Sequence, residues 1–203
     1  MLSGETMPGN ILDQLVLASA SPRRKQLLAQ IGVRCRVLVS NIDETPLPEE
    51  VASVCAARLA LEKAKAVVSD DGLPVMGADT VVVKDGLMLG KPKGQQDAVE
   101  MLQRLQGGEH EVITAVALFW QGQEFVEIST STVFFKPLSV AECEAYWLTG
   151  EPEGKAGAYA IQGLAAIFVE RIEGSFSGVM GLPLFESSRL LDRVGINALR
   201  SYR

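Results

Sequence analysis

The chain has one histidine, His110, and three cysteines, Cys35, Cys55 and Cys143, and these shortages close several chemical routes at once. A zinc site built on histidines cannot be assembled within one chain from a single imidazole. The cysteines are far apart, odd in number and never spaced C-x-x-C, so they read as buried thiols of a reducing compartment and not as disulfide partners. Basic charge is short as well. Lys and Arg number 19 against 25 Asp and Glu, and the net charge of -6 argues against broad binding of nucleic acid or of a membrane, while leaving room for a local basic pocket. No apolar run approaches the length of a membrane span, and residues 1–14, MLSGETMPGNILDQ, lack the basic flank and apolar core of an export signal. Those residues are expected to form a loose extension, with Met7 an alternative start, and the default location is the cytoplasm. The glycine patterns of dinucleotide and P-loop sites are missing, as is a G-x-S-x-G elbow. Internal repeats, low-complexity tracts and linkers are missing too.

What is present is a chain of 203 residues, 47% hydrophobic, which can bury a substantial core as one large domain or two small lobes. Strand-like and helix-like segments alternate, the signature of an α/β fold. Residues 15–28, LVLASASPRRKQLL, pass from an apolar strand through a polar turn into a helix that runs to Ile31 and stops at Gly32. A weak strand follows at 33–39, then a polar crossing at 41–48 and a long helix at 49–68, in which Arg58 and Glu62 are spaced to pair. Further strands are expected at 74–83 and 112–120, with one or two at 124–135 and another at 164–172. Helices are expected at 97–105, at 139–148 behind the capping box of Ser139 and Glu142, and at 184–194.

Charge inside this pattern marks the candidate chemistry. Ser21 followed by Pro22 reads as a helix N-cap and first helical residue, and Arg23 and Arg24 then occupy the first turn. A helix start is already positive, so two arginines there, beside the hydroxyls of Ser19 and Ser21, mark either an exposed basic turn or a phosphate or carboxylate site. Lys63 prolongs the series Val51, Cys55, Leu59 on one helix face and either snorkels to solvent or points into a cleft. Asp79 and Thr80 interrupt the strand PVMGADTVVV, together with Gly77. Either the Asp79 carboxylate has a task there or it caps a strand broken by a bulge. Lys91 sits beside Pro92 in LGKPK, and Thr114 is the hydroxyl of a strand that is apolar on both sides. His110 is placed in the turn after Gly107-Gly108 as a loop or capping residue. Residues 150–163 form either a plain surface loop or a close-fitting wall over a ligand. The carboxylates Asp43, Glu44 and Asp79, the cations Arg23, Arg24, Lys63 and Lys91, and the hydroxyls Ser19, Ser21 and Thr80 are the set that phosphate-ester or phosphoanhydride chemistry needs.

The order and spacing of LASASPRR (17–24), Asp43-Glu44, LEKA (61–64), GADTVV (77–82), GKP (90–92), GGEHEVITAVAL (107–118), KAGAYAIQG (155–163) and VMGLP (179–183) carry a resemblance. The chain resembles the Maf family of nucleoside triphosphate pyrophosphatases, also called the septum-formation inhibitor family. The resemblance implies an elongated α/β domain over residues 15–203, with a mixed twisted sheet flanked by helices and a cleft between two lobes, as in Maf and ITPase-like proteins, and frequently a homodimer. It implies hydrolysis of a nucleoside triphosphate to the monophosphate and pyrophosphate with Mg2+ or Mn2+. The SPRR and AGAYxIQG forms resemble the branch acting on dTTP and UTP; 7-methyl-GTP, another modified nucleotide, or a non-enzymatic nucleotide-binding role in septum formation are the alternatives. The resemblance assigns Arg23, Thr80 and Gln162 to base choice and Asp79 to proton acceptance. Glu44 and Asp79 are then the metal-side carboxylates, Arg24, Lys63 and Lys91 stabilise phosphate charge, and Ser19 and Ser21 donate to phosphate oxygens. One departure stands out: Gly154 occupies the place of an acidic residue before Lys155.

Overall fold

The computed structural model describes residues 13–198. Residues 1–12 of the expected N-terminal extension, Met7 among them, lie outside the described residues, whereas Gln14 is already fastened, its N–H donating to the Arg34 carbonyl at 3.1 Å. The elements run β1 (Leu15–Leu17), α1 (Pro22–Gln30), β2 (Cys35–Val37), α2 (Ala52–Lys65), β3 (Val75–Lys84), β4 (Leu87–Leu89), α3 (Gln95–Leu105), β5 (Glu109–Trp120), β6 (Gln123–Phe135) and α4 (Val140–Trp147). Two 3-10 turns, Ala156–Ala158 and Leu164–Phe168, lead to β7 (Val169–Glu173), α5 (Phe176–Met180) and α6 (Leu184–Arg193).

The strands form one open, mixed sheet of seven, in the order β2-β1-β3-β5-β6-β7, with β4 on the edge of β3. β1 is parallel to β2 and β3, and the pairs β3–β5, β5–β6, β6–β7 and β3–β4 are antiparallel. This is the expected α/β class with a mixed sheet flanked by helices, and its core is divided across the sheet. Side chains on β3 alternate between faces. Gly77, Asp79 and Val81 meet α2, while Met76, Ala78 and Val82 enter the opposite face. On that opposite face lie two separate apolar clusters. One packs Met76 and Ala78 with Leu27, Leu28, Leu190 and Leu191 of α1 and α6. The other packs Val82 with Leu102 and Leu105 of α3, Tyr146 of α4, and Tyr159. Thr80 falls on the seam between them.

The strand edge is divided at the same place. β5 pairs β3 from Val75 to Val83 without a break, but on the other side β1 reaches only Val75 and Met76, and β4 begins at Val82. Residues 77–81 therefore have a strand on one side alone, and the sheet opens there. No bulge interrupts β3, since Asp79 sits in continuous register opposite Ala115, so Asp79 is a true strand-interior carboxylate.

Several sequence expectations are corrected. The helix expected at 49–68 starts at Ala52, because Glu49 has φ +58 and Val51 is extended, and Val51 is exposed instead of sharing the buried face of Cys55 and Leu59. Residues 124–135 make one strand within β6, and the strand expected at 164–172 is a 3-10 turn followed by β7. Cys55 and Cys143 are buried free thiols, but Cys35 is only half-buried. Among the described residues no helix is long and apolar enough to cross a membrane.

His110 is the largest positional correction. It lies in β5, buried at 2% exposure, with Nε2 2.8 Å from the Tyr159 hydroxyl and its ring edge-on to Phe135 and Tyr159. Its Nδ1 is buried without a hydrogen-bond partner. Burial, aided by the nearby Lys84 charge, pushes the imidazole from 6.5 down to about 4. The folded state then stays neutral where the unfolded chain takes a proton, so stability falls as pH drops from about 6.5 and the loss levels off below about 4. The wild type should lose up to about 3 kcal/mol relative to His110→Gln across that window. Urea unfolding of both proteins at pH 7 and near pH 4 checks this; parallel pH profiles would rule it out.

Candidate active site

The site is built where α2 crosses β3, and a missing side chain makes the crossing close. A Cβ on Gly77 would stand 2.1 Å from the Ala60 carbonyl oxygen and 2.8 Å from the Ala64 nitrogen, both backbone atoms of α2. With the helix seated this deeply, Lys63 faces the strand. Lys63 and Asp79 are buried, at 6% and 8% exposure, and Nζ lies 2.6 Å from Asp79 Oδ1. The same ammonium reaches Glu44 Oε1 at 2.9 Å, and Glu44 Oε2 accepts from Lys91 Nζ at 2.9 Å. The alternative left open for Lys63 is thereby resolved: it points inward. Four residues from four separate segments, Glu44, Lys63, Asp79 and Lys91, form one chain of charges at the gap in the sheet. Burial works to raise the Glu44 carboxyl, yet the hydrogen bonds from Lys63 and Lys91 outweigh it and hold it at about 2.

Glu44 stands on the irregular crossing between β2 and α2, and Arg58 holds that crossing in place. Its guanidinium grips Glu50 through Nε and Nη2 at 2.6 and 2.7 Å, bonds Glu62 at 3.2 Å and reaches the Thr45 carbonyl at 3.4 Å. The sequence marks only the Glu62 partner. Asp43 takes no part in the charge chain, because its Oδ1 is turned onto the backbone N–H and hydroxyl of Thr45.

At the start of α1 the arginines separate. Arg24 donates from Nε to the Gly181 carbonyl at 2.8 Å, from Nη1 to Ser19 Oγ at 3.0 Å and from Nη2 to Thr80 Oγ1 at 3.4 Å. Thr114 Oγ1 is 3.0 Å from Thr80 Oγ1 and 2.8 Å from the Gly178 carbonyl oxygen. A hydroxyl has one proton, so Thr114 gives its own to that carbonyl and receives the one from Thr80. Thr80 is thus oriented by Arg24 and Thr114 together. Three of the five guanidinium N–H groups of Arg24 are occupied and two remain. Burial lowers the Arg24 pKa against the field of Asp79, which raises it. Arg23 donates from Nε to the Met180 carbonyl at 3.3 Å, and burial lowers its pKa as well, opposed by Glu151.

Ser21 stands at the N-cap position but its side chain makes no capping bond; its own N–H is taken by Ser19 Oγ at 3.2 Å. The first turn of α1 is therefore left uncapped and without an acidic residue, so its open N–H groups and two arginines share one positive mouth. Gln162, expected to read a base, is exposed and joins neither the charge chain nor the Arg24 network. Beside Gly154, where the acidic residue is missing, Lys155 Nζ bonds the Glu153 carbonyl at 2.9 Å, and a Cβ on Gly154 would meet nothing within 4 Å.

Sequence reasoning missed the carbonyls of Met180 and Gly181 as arginine acceptors. The 174–183 segment that supplies them is pinned to the sheet by hydroxyls: Ser131 Oγ accepts from the Ser175 N–H at 2.9 Å, and Ser175 Oγ from the Gly178 N–H at 3.0 Å. The density of serine and glycine in GSFSGVMG was the available signal.

Gly77→Ala tests the crossing. The added methyl group must move α2, which should lower stability by about 2 kcal/mol or more and lengthen the Lys63–Asp79 contact. Thermal melting and a crystal structure of the variant check it, and an unchanged melting temperature would show that the helix has room to shift.

A model of Maf-like proteins matches residues 14–194. The chain is 51% identical over 195 residues to a protein of Alkalilimnicola ehrlichii named dTTP/UTP pyrophosphatase, covering 93% of this chain and 96% of that protein. It is 49% identical over 197 residues to one of Nitrosomonas europaea bearing the same name, covering 90% and 95%. A solved nucleoside-triphosphatase / dITP/XTP pyrophosphatase of Mycobacterium abscessus matches with a TM-score of 0.40 and 20% identity, over 61% of this chain and 75% of that one. Identity of this order over nearly the whole length, together with the motifs that build the gap in the sheet, leaves no other assignment: the chain belongs to the Maf family.

Proposed function

We propose that this protein hydrolyses dTTP and UTP to the nucleoside monophosphate and pyrophosphate, by attack of water at the α-phosphorus. The observation that carries the proposal is the buried Lys63 ammonium held between Asp79 and Glu44 at an opening of the sheet, within the electrostatic reach of Arg24. That opening is rich in cations, as a triphosphate requires, and its carboxylates lie beside them. The relatives named dTTP/UTP pyrophosphatase support the substrate class.

The residues divide the work as follows. Asp79, with Oδ1 on Lys63, turns its remaining oxygen to the attacking water and takes its proton. Lys63 and Lys91 neutralise charge that grows on the phosphate chain during bond breaking, where such stabilisation counts most. Arg24 offers its two free N–H groups, and Ser19 and Ser21 frame the mouth of α1, where backbone N–H groups favour phosphate. Arg23, Thr80 and Gln162 border the base; the Gln162 amide has the donor and acceptor to match the edge of uracil or thymine.

A divalent cation, Mg2+ or Mn2+, fits the donor set. Asp79 and Glu44 meet at a single ammonium, and Mg2+ is commonly held by one or two carboxylates together with substrate phosphates. No group of three or more His, Cys, Asp and Glu side chains is gathered among the described residues; Asp79 and Glu44, both on Lys63, are the carboxylates that would hold the cation together with substrate phosphates. When bound, the cation supplies Lewis-acid neutralisation of phosphoryl oxygens.

Purified protein assayed with dTTP, UTP, 7-methyl-GTP and the common triphosphates should release pyrophosphate, fastest from dTTP and UTP. Release of orthophosphate would sink the α-phosphorus assignment, and nucleotide binding without hydrolysis under any divalent metal would favour a regulator. Asp79→Asn should fold and lose roughly 10²-fold or more in turnover at saturating metal, the loss typical of a missing general base; near-wild-type turnover removes Asp79 from the chemistry. In Gln162→Ala the preference for UTP over CTP should narrow, and an unchanged ratio would put base reading elsewhere.

A further inference from the structure

Residues 150–165 carry the turn that ends in Gln162, and one carboxylate holds the turn together. Glu151 Oε1 accepts from the Tyr146 hydroxyl at 2.7 Å and from the Ala165 N–H at 3.2 Å, while Oε2 accepts from the Leu164 N–H at 2.9 Å. The Gly163 backbone lies so close that a Cβ there would stand 2.1 Å from Oε2, which only glycine allows. On the other side of Gln162, the Ala160 N–H donates to the same Tyr146 hydroxyl at 3.2 Å. Ala160 before Gln162, and Leu164 and Ala165 after it, are thus held by Glu151 and the phenol it orients. Among the described residues the Gln162 side chain has no hydrogen-bond partner, and it is exposed. A side chain that must recognise a base without such a partner depends on its backbone for position.

Glu151 also acts at a second element of the site. It is the leading negative charge opposing the effect of burial on Arg23, whose hydrogen bond among the described residues is from Nε to the Met180 carbonyl. Arg23 and Gln162 are far apart in sequence and come from α1 and from the turn before a 3-10 helix. Glu151 is the residue on which both bear.

We propose that Glu151 is the positioning residue for base selection, fixing the turn that presents Gln162 while its charge faces the field of Arg23, so that uracil and thymine are preferred over cytosine. The inference rests on the reading above that Arg23 and Gln162 border the base. It asks nothing of Glu151 in the bond-breaking step, which belongs to the Asp79 side of the gap.

Glu151→Gln keeps the shape and one acceptor oxygen but removes the charge. Steady-state kinetics with UTP, dTTP and CTP should then show KM for UTP rising roughly tenfold with a smaller change in kcat, and the UTP to CTP ratio of kcat/KM falling by a similar factor, as expected when polar groups of a recognition site lose their partner. A merely structural role would lower melting temperature and slow every nucleotide alike, leaving the ratio intact; that result overturns the proposal. If Glu151→Gln does not fold, Tyr146→Phe decides the matter, since it keeps the ring packed edge-on against Phe168 while removing the hydroxyl that ties Glu151 to Ala160. A lowered UTP to CTP ratio in Tyr146→Phe supports the proposal and an unchanged one overturns it. Wild-type protein that releases no pyrophosphate from UTP or dTTP overturns the functional reading as well. Activity in the wild type, a narrowed ratio in Gln162→Ala and an unchanged ratio in Glu151→Gln overturn the role of Glu151 alone.

Discussion

The contact between Lys63 and Asp79 is the constraint on which the rest of the molecule turns. Taking an ammonium and a carboxylate out of water is costly, and close pairing offsets the cost only when the geometry is good. Here the geometry comes from Gly77, which lets the backbone of α2 touch β3 and so sets the lysine against the carboxylate. Because Lys63 also bonds Glu44, and Glu44 bonds Lys91, a helix, a strand and two irregular segments take their relative positions from one buried ion pair. Opposite charges so arranged hold one another in place in the folded protein.

Much of this organisation was legible in the chain. Asp79 inside an apolar strand and Lys63 on an apolar helix stripe each break a local preference, and such breaks are informative because desolvated charge needs a reason. The Ser139 capping box was equally plain: the Ser139 hydroxyl accepts from the Glu142 N–H, and the Glu142 carboxylate accepts from the Ser139 N–H at 2.8 Å. What could not be read was any bond whose partners lie far apart and whose acceptor is backbone. Arg24 on Gly181 and Arg23 on Met180 span 157 residues, and a carbonyl leaves no trace in a sequence. His110 was misplaced for a different reason. A histidine flanked by glutamates after a glycine pair looks like a turn, but pairing along β6 extends β5 back to Glu109 and buries the ring. Tertiary pairing overrode local pattern.

The polar seam across the opposite face follows a different economy from the ion pair. Arg24, Thr80, Thr114 and the Gly178 carbonyl pass hydrogen bonds in one direction, so that each hydroxyl has a defined proton. Such a network is rigid because each of its two hydroxyls both donates and accepts, between a donor at one end and an acceptor at the other. Two apolar clusters on the same sheet, one under α1 and α6 and the other under α3 and α4, are kept apart by this seam. An apolar residue at Thr80 would take from Arg24 the acceptor of its Nη2 and from Thr114 the hydroxyl beside its oxygen, leaving Arg24 on Gly181 and Ser19 and Thr114 on Gly178.

The interval along β3 between β1 and β4 has one further consequence. Antiparallel pairing with β5 uses the backbone groups of alternate residues, and since the Met76 carbonyl accepts from Ala18, the N–H and C=O groups of Ala78 and Thr80 point toward the opening. An unpaired strand edge is ordinarily an invitation to another polypeptide, and proteins guard against it with charge, bulges or cover. This one is framed by β1 at one end and β4 at the other, so it is too short to template an added strand. The frame that makes the open main chain safe is the sheet's own discontinuity.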